Sequence, residues 1–321
     1  MSERQVKNQD LAIIDTGNKS ITTKTTRNKY VYGPVRSWRS GTSLGIDPIG
    51  DLSTCSFNCV YCQLGKIQKI TTESKVYVPS ELIIEDLKEL EASKAFVYED
   101  LDVITFAGSG EPTLAANLAE IITQIKKLFA NRTRQVPISI LTNATTLEDP
   151  RVRSALLGAD LISLKLDAYN DEMLKTINQP APNISIASIT NGIKLLQADC
   201  ASLLTPRLQL QIMLMPKHLE QDKNYTINLA KLILELKIDH IQLNTPTRPK
   251  PISKSGEFWI DTRGNHYAPS SPDQKIPDFI EFRELPIITK DQAFMIEDEL
   301  ESYLRPKMPN LSIVNIFKRE S

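Results

Sequence analysis

The sequence lacks the features that mark membrane, secreted and polycationic proteins. It has no run approaching the ~20 apolar residues that span a bilayer, and only 4 of its 321 residues are cysteine, too few for a disulfide-rich scaffold. Its 38 Lys and Arg offset 39 Asp and Glu, so the formal net charge of −1 does not favour a nucleic-acid or membrane surface. The first residues, MSERQVKNQD, are polar and lack the apolar core of a signal peptide. We therefore expect a cytoplasmic protein with no membrane partner.

Two common catalytic patterns are also missing. The sequence contains no G-x-x-x-x-G-K-[ST] phosphate loop, and its residues follow no Ser-His-Asp order that would suggest a hydrolase. The composition, 41% hydrophobic and 24% charged, is ordinary for a globular protein that buries a core. Function must therefore be sought in the cysteines and in the order of the structural elements.

Three of the four cysteines, Cys55, Cys59 and Cys62, lie in the short segment CSFNCVYC. In a reducing compartment such a cluster indicates metal binding or catalysis rather than disulfides. A closed zinc site takes four ligands, and the fourth would have to come from Cys200 or a histidine far along the chain. An iron–sulfur cube held by three cysteines instead keeps one iron open, which chemistry can use. A non-catalytic zinc or iron–sulfur staple stays as the alternative.

Apolar runs and helical patterns alternate along the chain. Strands are predicted near 43–48 and at 102–107, 137–142, 160–166, 207–214 and 239–243, and helices over 80–91, 114–129, 148–157, 186–198 and 222–237. Such β/α alternation predicts a parallel sheet with right-handed crossovers. Because six units are short of the eight that close a barrel, we predict an α/β fold, an open six-unit (β/α)6 partial barrel of incomplete TIM type.

Composition divides the chain into three predicted parts. Residues 1–29 form a flexible, polar, basic N-terminal arm, and residues 30–245 form the partial barrel. Residues 246–321 form a C-terminal extension, in which a Pro-rich loop precedes a helix at 289–304 and a strand at 311–317. We expect this extension to pack on the core.

The cysteine spacing, with Tyr61 directly before the last cysteine, resembles the signature of the radical S-adenosylmethionine (SAM) superfamily. The predicted fold is similar to the open six-unit barrel of that family over residues 31–245. Within the family, the segments GPVRSWRSGTSLGID, GSGEPTL, LTN and QLNTPTRP resemble an iron–sulfur oxidoreductase group related to tRNA wyosine-base synthases. Trp38 departs from that group, in which relatives often carry Arg or a similar residue.

The resemblance implies a chemistry. Cys55, Cys59 and Cys62 would hold a [4Fe–4S] cluster whose open iron binds SAM, and an external donor of the flavodoxin or ferredoxin type would reduce it. Reductive cleavage of SAM would give a 5′-deoxyadenosyl radical that abstracts hydrogen from an RNA base, a protein side chain or a metallocofactor precursor. The motifs assign no catalytic side chain beyond these cofactors.

The turn GSGEP follows the second predicted strand. Its glycines allow the backbone to approach a ligand closely, although a plain strand-to-helix turn explains them too, and both interpretations can hold together. The family has a Gly-Gly-Glu-Pro-like segment here that binds the methionine amino group. The resemblance therefore implies cofactor contacts for Gly108, Ser109, Gly110 and Glu111, with a serine in place of one glycine. It also implies a cofactor contact for Tyr61.

Two further strands end in polar residues. Asn143 in LTN resembles the family's strand-three Thr-Asn segment near the cofactor, with an ordinary turn as the alternative. In SLKLDA, alternation places Ser163, Lys165 and Asp167 on one face, and a buried charged pair needs partners. We predict that these three side chains lie inside the barrel, and the resemblance implies cofactor contacts there. His218 either lines the open end of the barrel or lies in a surface loop.

Overall fold

The computed structural model describes residues 30–247, 250–253, 256–257, 259–260, 266–267 and 280–317. The predicted arm at 1–29 and most of the Pro-rich segment lie outside the described residues. Within the described ranges, no helix combines the length and the apolar character needed to cross a membrane.

One eight-stranded sheet forms the centre of the molecule, and its strands pair in chain order. Their bounds are β1 Val31–Ser37, β2 Gly41–Ile46, β3 Val103–Phe106, β4 Ile138–Thr142, β5 Leu161–Lys165, β6 Arg207–Met213, β7 His240–Asn244 and β8 Ser312–Asn315. β1 is antiparallel to β2, and every later pair is parallel. Because β1 and β8 are the two edges of the sheet, the barrel is open, as predicted.

The structure adds two strands to the six that were predicted for the barrel. β1 forms a hairpin with β2 and covers one edge, and β8 extends the other edge by pairing with β7. The C-terminal strand therefore belongs to the main sheet. The division of the chain into three domains stays a prediction.

Eight helices connect the described strands. They are α1 Ser80–Ala92, α2 Leu118–Leu128, α3 Pro150–Leu156, α4 Asp171–Ile177, α5 Ile186–Cys200, α6 Pro216–Gln221, α7 Tyr225–Leu236 and α8 Lys290–Leu304. The helix predicted from residue 114 begins only at Leu118, because Pro112–Leu114 form a separate 3-10 turn. α4 and α6 were not predicted, because apolar periodicity is weak over seven and six residues. α3 is equally short, but an Asp-Pro pair marks its start.

The two faces of the sheet differ sharply in polarity. One set of alternate residues is apolar and shares a single core with the helices; it includes Leu44, Ile104, Ile140, Ile162, Leu210 and Leu243. The other set is largely polar and lies on the opposite face, with Leu141 and Leu161 as apolar members; it includes Ser43, Thr105, Ser139, Ser163, Lys165, Gln209, Gln211 and Gln242. The strands therefore build a polar chamber inside an apolar shell.

Candidate active site

The cysteine loop follows β2 and lies against the GSGEP turn that follows β3. Thr54 donates its N–H to the carbonyl of Ser109 at 2.9 Å, and Glu111 donates its N–H to the carbonyl of Thr54 at 3.1 Å. Parallel strands place their carboxyl ends at the same edge of a sheet, so these two loops meet. The GSGEP turn thus fixes the start of the cysteine loop.

The other side of the loop is held by the residues that follow α4. Val60 donates its N–H to the carbonyl of Ile177 at 2.9 Å, and Asn58 donates its own to the carbonyl of Asn178 at 2.9 Å. In the reverse direction, Ala181 donates to the carbonyl of Ser56 at 2.8 Å. These bonds use backbone groups, so the position of the loop depends on where α4 ends.

Two of the thiols accept hydrogen bonds from side-chain amides. The Sγ of Cys55 accepts from Asn143 Nδ2 at 3.5 Å, and the Sγ of Cys59 accepts from Asn178 Nδ2 at 3.4 Å. Burial, with the nearby Asp167 carboxylate, raises the pKa of Cys59 to about 12, and burial with Glu111 raises the pKa of Cys55 well above its ordinary value. Without a metal the two thiols are therefore protonated at neutral pH, and a bound metal must supply the charge that makes them thiolates.

The three cysteines suit an iron–sulfur cluster, in which each sulfur ligand binds a separate iron. Among the residues that the structure describes, no three His, Cys, Asp or Glu side chains converge so as to hold one metal ion. The loop offers separate sulfur ligands for separate irons, and Asn143 and Asn178, outside the loop, donate N–H groups to two of these sulfurs. α5 returns from the carboxyl end of β5 to the amino end of β6. Cys200, at the end of α5, therefore lies near the amino ends of the strands, whereas Cys59 lies near their carboxyl ends.

Asp167 is the centre of a buried network beside the loop. Its Oδ2 accepts from the hydroxyl of Tyr61 and, at 2.7 Å, from Asn178 Nδ2. Its Oδ1 accepts from the N–H of Met213 at 2.8 Å and lies 3.2 Å from Lys165 Nζ. The same Nζ lies 4.8 Å from the centre of the Tyr61 ring. The structure thus brings three of the predicted site residues into one contact group.

The GSGEP turn is itself anchored by two buried carboxylates. Asp47 accepts from the N–H of Ser109 at 3.0 Å and from its hydroxyl at 2.6 Å, which gives the serine at this position a structural role. Glu111 accepts from the N–H of Asn143 at 2.7 Å and from the Thr113 hydroxyl at 2.6 Å. Burial raises the pKa of both Asp47 and Glu111, and these hydrogen bonds oppose that rise.

Ser163 lies apart from the Asp167 network, on the interior wall. Gln209 donates its Nε2 to the Ser163 hydroxyl, and Gln242 donates to Gln209 Oε1 at 3.2 Å. Gln211 extends the row with a longer contact of 3.5 Å to Gln242. This row of neutral amides crosses β5, β6 and β7 inside the chamber.

His218 is buried, so the alternative of a surface loop is wrong. Its ring stacks on Tyr225 with the centroids 4.6 Å apart, and its Nδ1 accepts from the N–H of Met215 at 3.3 Å. No described residue bonds its Nε2 or the hydroxyl of Tyr225. Burial lowers the pKa of His218 to about 4, and the charges of Asp167 and Lys165 also act on it.

Sequence reasoning missed Asn178 and Asp47. Asn178 stands 119 residues from Cys59, and Asp47 stands 62 residues from Ser109. Asn178 lies in no motif, and Asp47 ends the segment GPVRSWRSGTSLGID without having been assigned a role there. The one available signal was the position of Asp47 just after a predicted strand, at the edge where the other candidates also cluster.

Comparison with known proteins identifies a family and two similar relatives. The sequence model of the Radical SAM superfamily matches residues 52–230. A UPF0026 protein of Synechocystis sp. is 44% identical over 236 residues, which is 74% of this chain and 81% of that protein. A UPF0026 protein of Methanocaldococcus jannaschii is 31% identical over 219 residues, covering 68% of this chain and 64% of that protein.

The fold also resembles a solved structure. Streptococcus suis SuiB bound to the precursor peptide SuiA superposes with a TM-score of 0.53 at 13% identity. The match covers 88% of this chain and 52% of SuiB, so this chain spans about half the length of that protein. At this identity the likeness concerns the fold.

Proposed function

Since this chain belongs to the radical SAM superfamily and, within it, to the UPF0026 proteins, we propose that it is an enzyme that opens an unactivated C–H bond. When bound, a [4Fe–4S] cluster and SAM supply that chemistry by reductive cleavage of the sulfonium and hydrogen abstraction by the resulting 5′-deoxyadenosyl radical. The narrower likeness to wyosine-base synthases stays a prediction, as does a cytoplasmic location with a flavodoxin- or ferredoxin-type donor.

The observation that carries this proposal is how the cysteine loop is held in place by hydrogen bonds. Cys55, Cys59 and Cys62 would hold the cluster, on a loop that backbone hydrogen bonds fix on both sides. The amides of Asn143 and Asn178 direct N–H groups at two of the sulfurs. Such donors stabilise the negative charge on metal-bound sulfur.

The residues around the loop would orient SAM. The Lys165 ammonium, fixed by Asp167, offers a positive charge beside the loop, and the backbone of Gly108, Ser109 and Gly110 borders it on the other side. Glu111 and Asn143 join the two loops that carry these contacts. The methionine end of SAM carries a carboxylate and an ammonium group. The Lys165 ammonium would pair with the carboxylate, and the backbone carbonyls of the GSGEP turn would accept from the ammonium.

The interior wall limits the substrate. Ser163, Gln209 and Gln242 present neutral hydrogen-bonding groups that are largely shielded from water. Such a wall suits a neutral group such as a nucleobase edge or a carboxamide, and the charged group on the same face, Lys165, is held by Asp167. An RNA base, a protein side chain and a cofactor precursor all contain groups of this kind.

Anaerobic reconstitution with iron and sulfide tests the proposal. We expect a brown protein that shows a reduced-cluster EPR signal and cleaves SAM to methionine and 5′-deoxyadenosine under dithionite. Cys59→Ala should abolish cleavage, whereas Cys200→Ala, near the amino ends of the strands, should keep it. A colourless protein that retains one zinc ion would overturn the proposal in favour of the staple.

A further inference from the structure

We propose that Asn178 sets the reduction potential of the cluster, by donating an N–H···S hydrogen bond to the sulfur of Cys59. The inference rests on the proposed function, because it requires a cluster at the three cysteines. It assigns a role in electron transfer to a residue that lies outside every sequence motif discussed above.

The orientation of the Asn178 side chain is fixed by its strongest partner. Nδ2 lies 2.7 Å from Asp167 Oδ2, 3.1 Å from the Tyr61 hydroxyl and 3.4 Å from Cys59 Sγ. An ionised carboxylate only accepts hydrogen bonds, so it selects the NH2 end of the amide rather than the oxygen end. The end that faces Asp167 also faces Cys59, and the sulfur therefore meets a donor.

The backbone of Asn178 holds the side chain at this distance. Its carbonyl accepts the N–H of Asn58, one residue before Cys59, and the Nδ2 of Asn58 donates to Gln179 Oε1 at 2.9 Å. Asn178 itself is 1% exposed. The backbone bond fixes the start of the side chain, and the amide cannot rotate away from the sulfur without losing its bonds to Asp167 and Tyr61.

The physical effect of this bond has a definite sign. Reduction adds negative charge that spreads onto the cluster's sulfur ligands, and an N–H dipole aimed at one of them stabilises the reduced state. Asp167 acts in the opposite sense, because its negative charge lies near Cys59 and repels the negative charge that reduction adds. The amide stands between that carboxylate and the sulfur, so its removal takes away a favourable dipole and exposes Cys59 to the carboxylate. Both changes make the cluster harder to reduce.

The test is an EPR-monitored redox titration of the full-length reconstituted protein. Asn178→Leu keeps the size of the side chain and removes the donor, and Asn178→Ala removes the donor without any risk of overpacking. We expect Asn178→Leu to lower the ratio of reduced to oxidised cluster about tenfold at a fixed potential, which is a shift of about 59 mV for one electron. Asn178→Ala should shift in the same direction by less, because water can enter and donate in its place.

The matched control is Asn58→Leu. It removes the hydrogen bond to Gln179 between the same two segments and the acceptor of the Ile67 N–H, but no donor to sulfur, so its midpoint potential should equal that of the wild type. Equal potentials in wild type and both Asn178 variants, or an equal decrease in Asn58→Leu, would overturn the inference. Failure of the proposed function looks different, because the wild-type protein would then show neither a cluster signal nor SAM cleavage.

Discussion

Gly110 and Thr54 approach so closely that a β-carbon built on Gly110 would stand 1.6 Å from the Thr54 carbonyl oxygen. The two residues form a parallel bridge, and the adjacent Glu111 N–H bonds that same oxygen. No side chain fits in this gap. A glycine is therefore required where the GSGEP turn supports the cysteine loop, whatever the turn also does for a ligand.

Replacing Gly110 tests this contact. We expect Gly110→Ala to lower the free energy of unfolding by about 3 kcal/mol, because the clash is with backbone that cannot rotate away. Urea unfolding measures the change, and iron content after reconstitution should fall with it. Gly158→Ala is the control, since its nearest contact would be a movable Ile122 methyl group at 3.2 Å. Equal stability of the two variants would refute the packing argument.

Removing Asp167 should lower the free energy of unfolding more than removing its partner Lys165. Asp167→Asn should cost about 3 kcal/mol, because it leaves Lys165 without its partner and replaces an acceptor that serves several donors. Lys165→Met should cost less, since Asp167 keeps the N–H of Met213 and the amide of Asn178. Denaturant unfolding of both variants compares them, and the opposite ranking would contradict the network described for the site.

His218 should make the fold sensitive to acid. Its folded-state pKa of about 4 lies below the usual 6.5, so the unfolded chain binds the proton first. The contribution of His218 to the free energy of unfolding is therefore fully present above about pH 7. It is lost as the pH falls toward 4, by about 3 kcal/mol in total. His218→Asn keeps an acceptor for the Met215 N–H and should remove this pH dependence. The measurement is the difference in unfolding free energy between wild type and variant from pH 7 to pH 4, and a constant difference would contradict the assignment.

Ser109 should contribute to stability through Asp47. Ser109→Gly, which restores the glycine of the family's pattern, removes a hydroxyl that donates to a buried carboxylate at 2.6 Å. We expect a loss of about 1 to 2 kcal/mol in urea unfolding, because a charge-assisted hydrogen bond disappears. The exposed Ser74→Ala serves as the control and should change stability little. An unchanged free energy of unfolding in Ser109→Gly would contradict this role and would mean that water replaces the hydroxyl.

The strands were predictable because each keeps a local pattern. LQLQI alternates apolar and polar residues, whereas ISILT and LISLK are apolar runs interrupted by a serine. In the structure Ser139, Ser163, Gln209 and Gln211 lie on the face opposite the apolar core. The edge strand β1 was missed, because VYGPVRS contains both a glycine and a proline and follows a polar segment. Its pairing depends on the hairpin with β2 rather than on its own composition.

The amino-acid sequence alone determined the spacing of Cys55, Cys59 and Cys62, the β/α order and the edge of the sheet where polar residues gather. These three features can be predicted from the sequence because each depends on residues close together in the chain or on a repeating pattern of apolar residues. Only the tertiary structure decided that Asn178 would face Cys59 and that Asp47 would hold Ser109. Those contacts join residues 119 and 62 positions apart, and a hydrogen bond across such a distance leaves no trace in local periodicity. It exists because the parallel sheet brings the ends of separate strands to one edge.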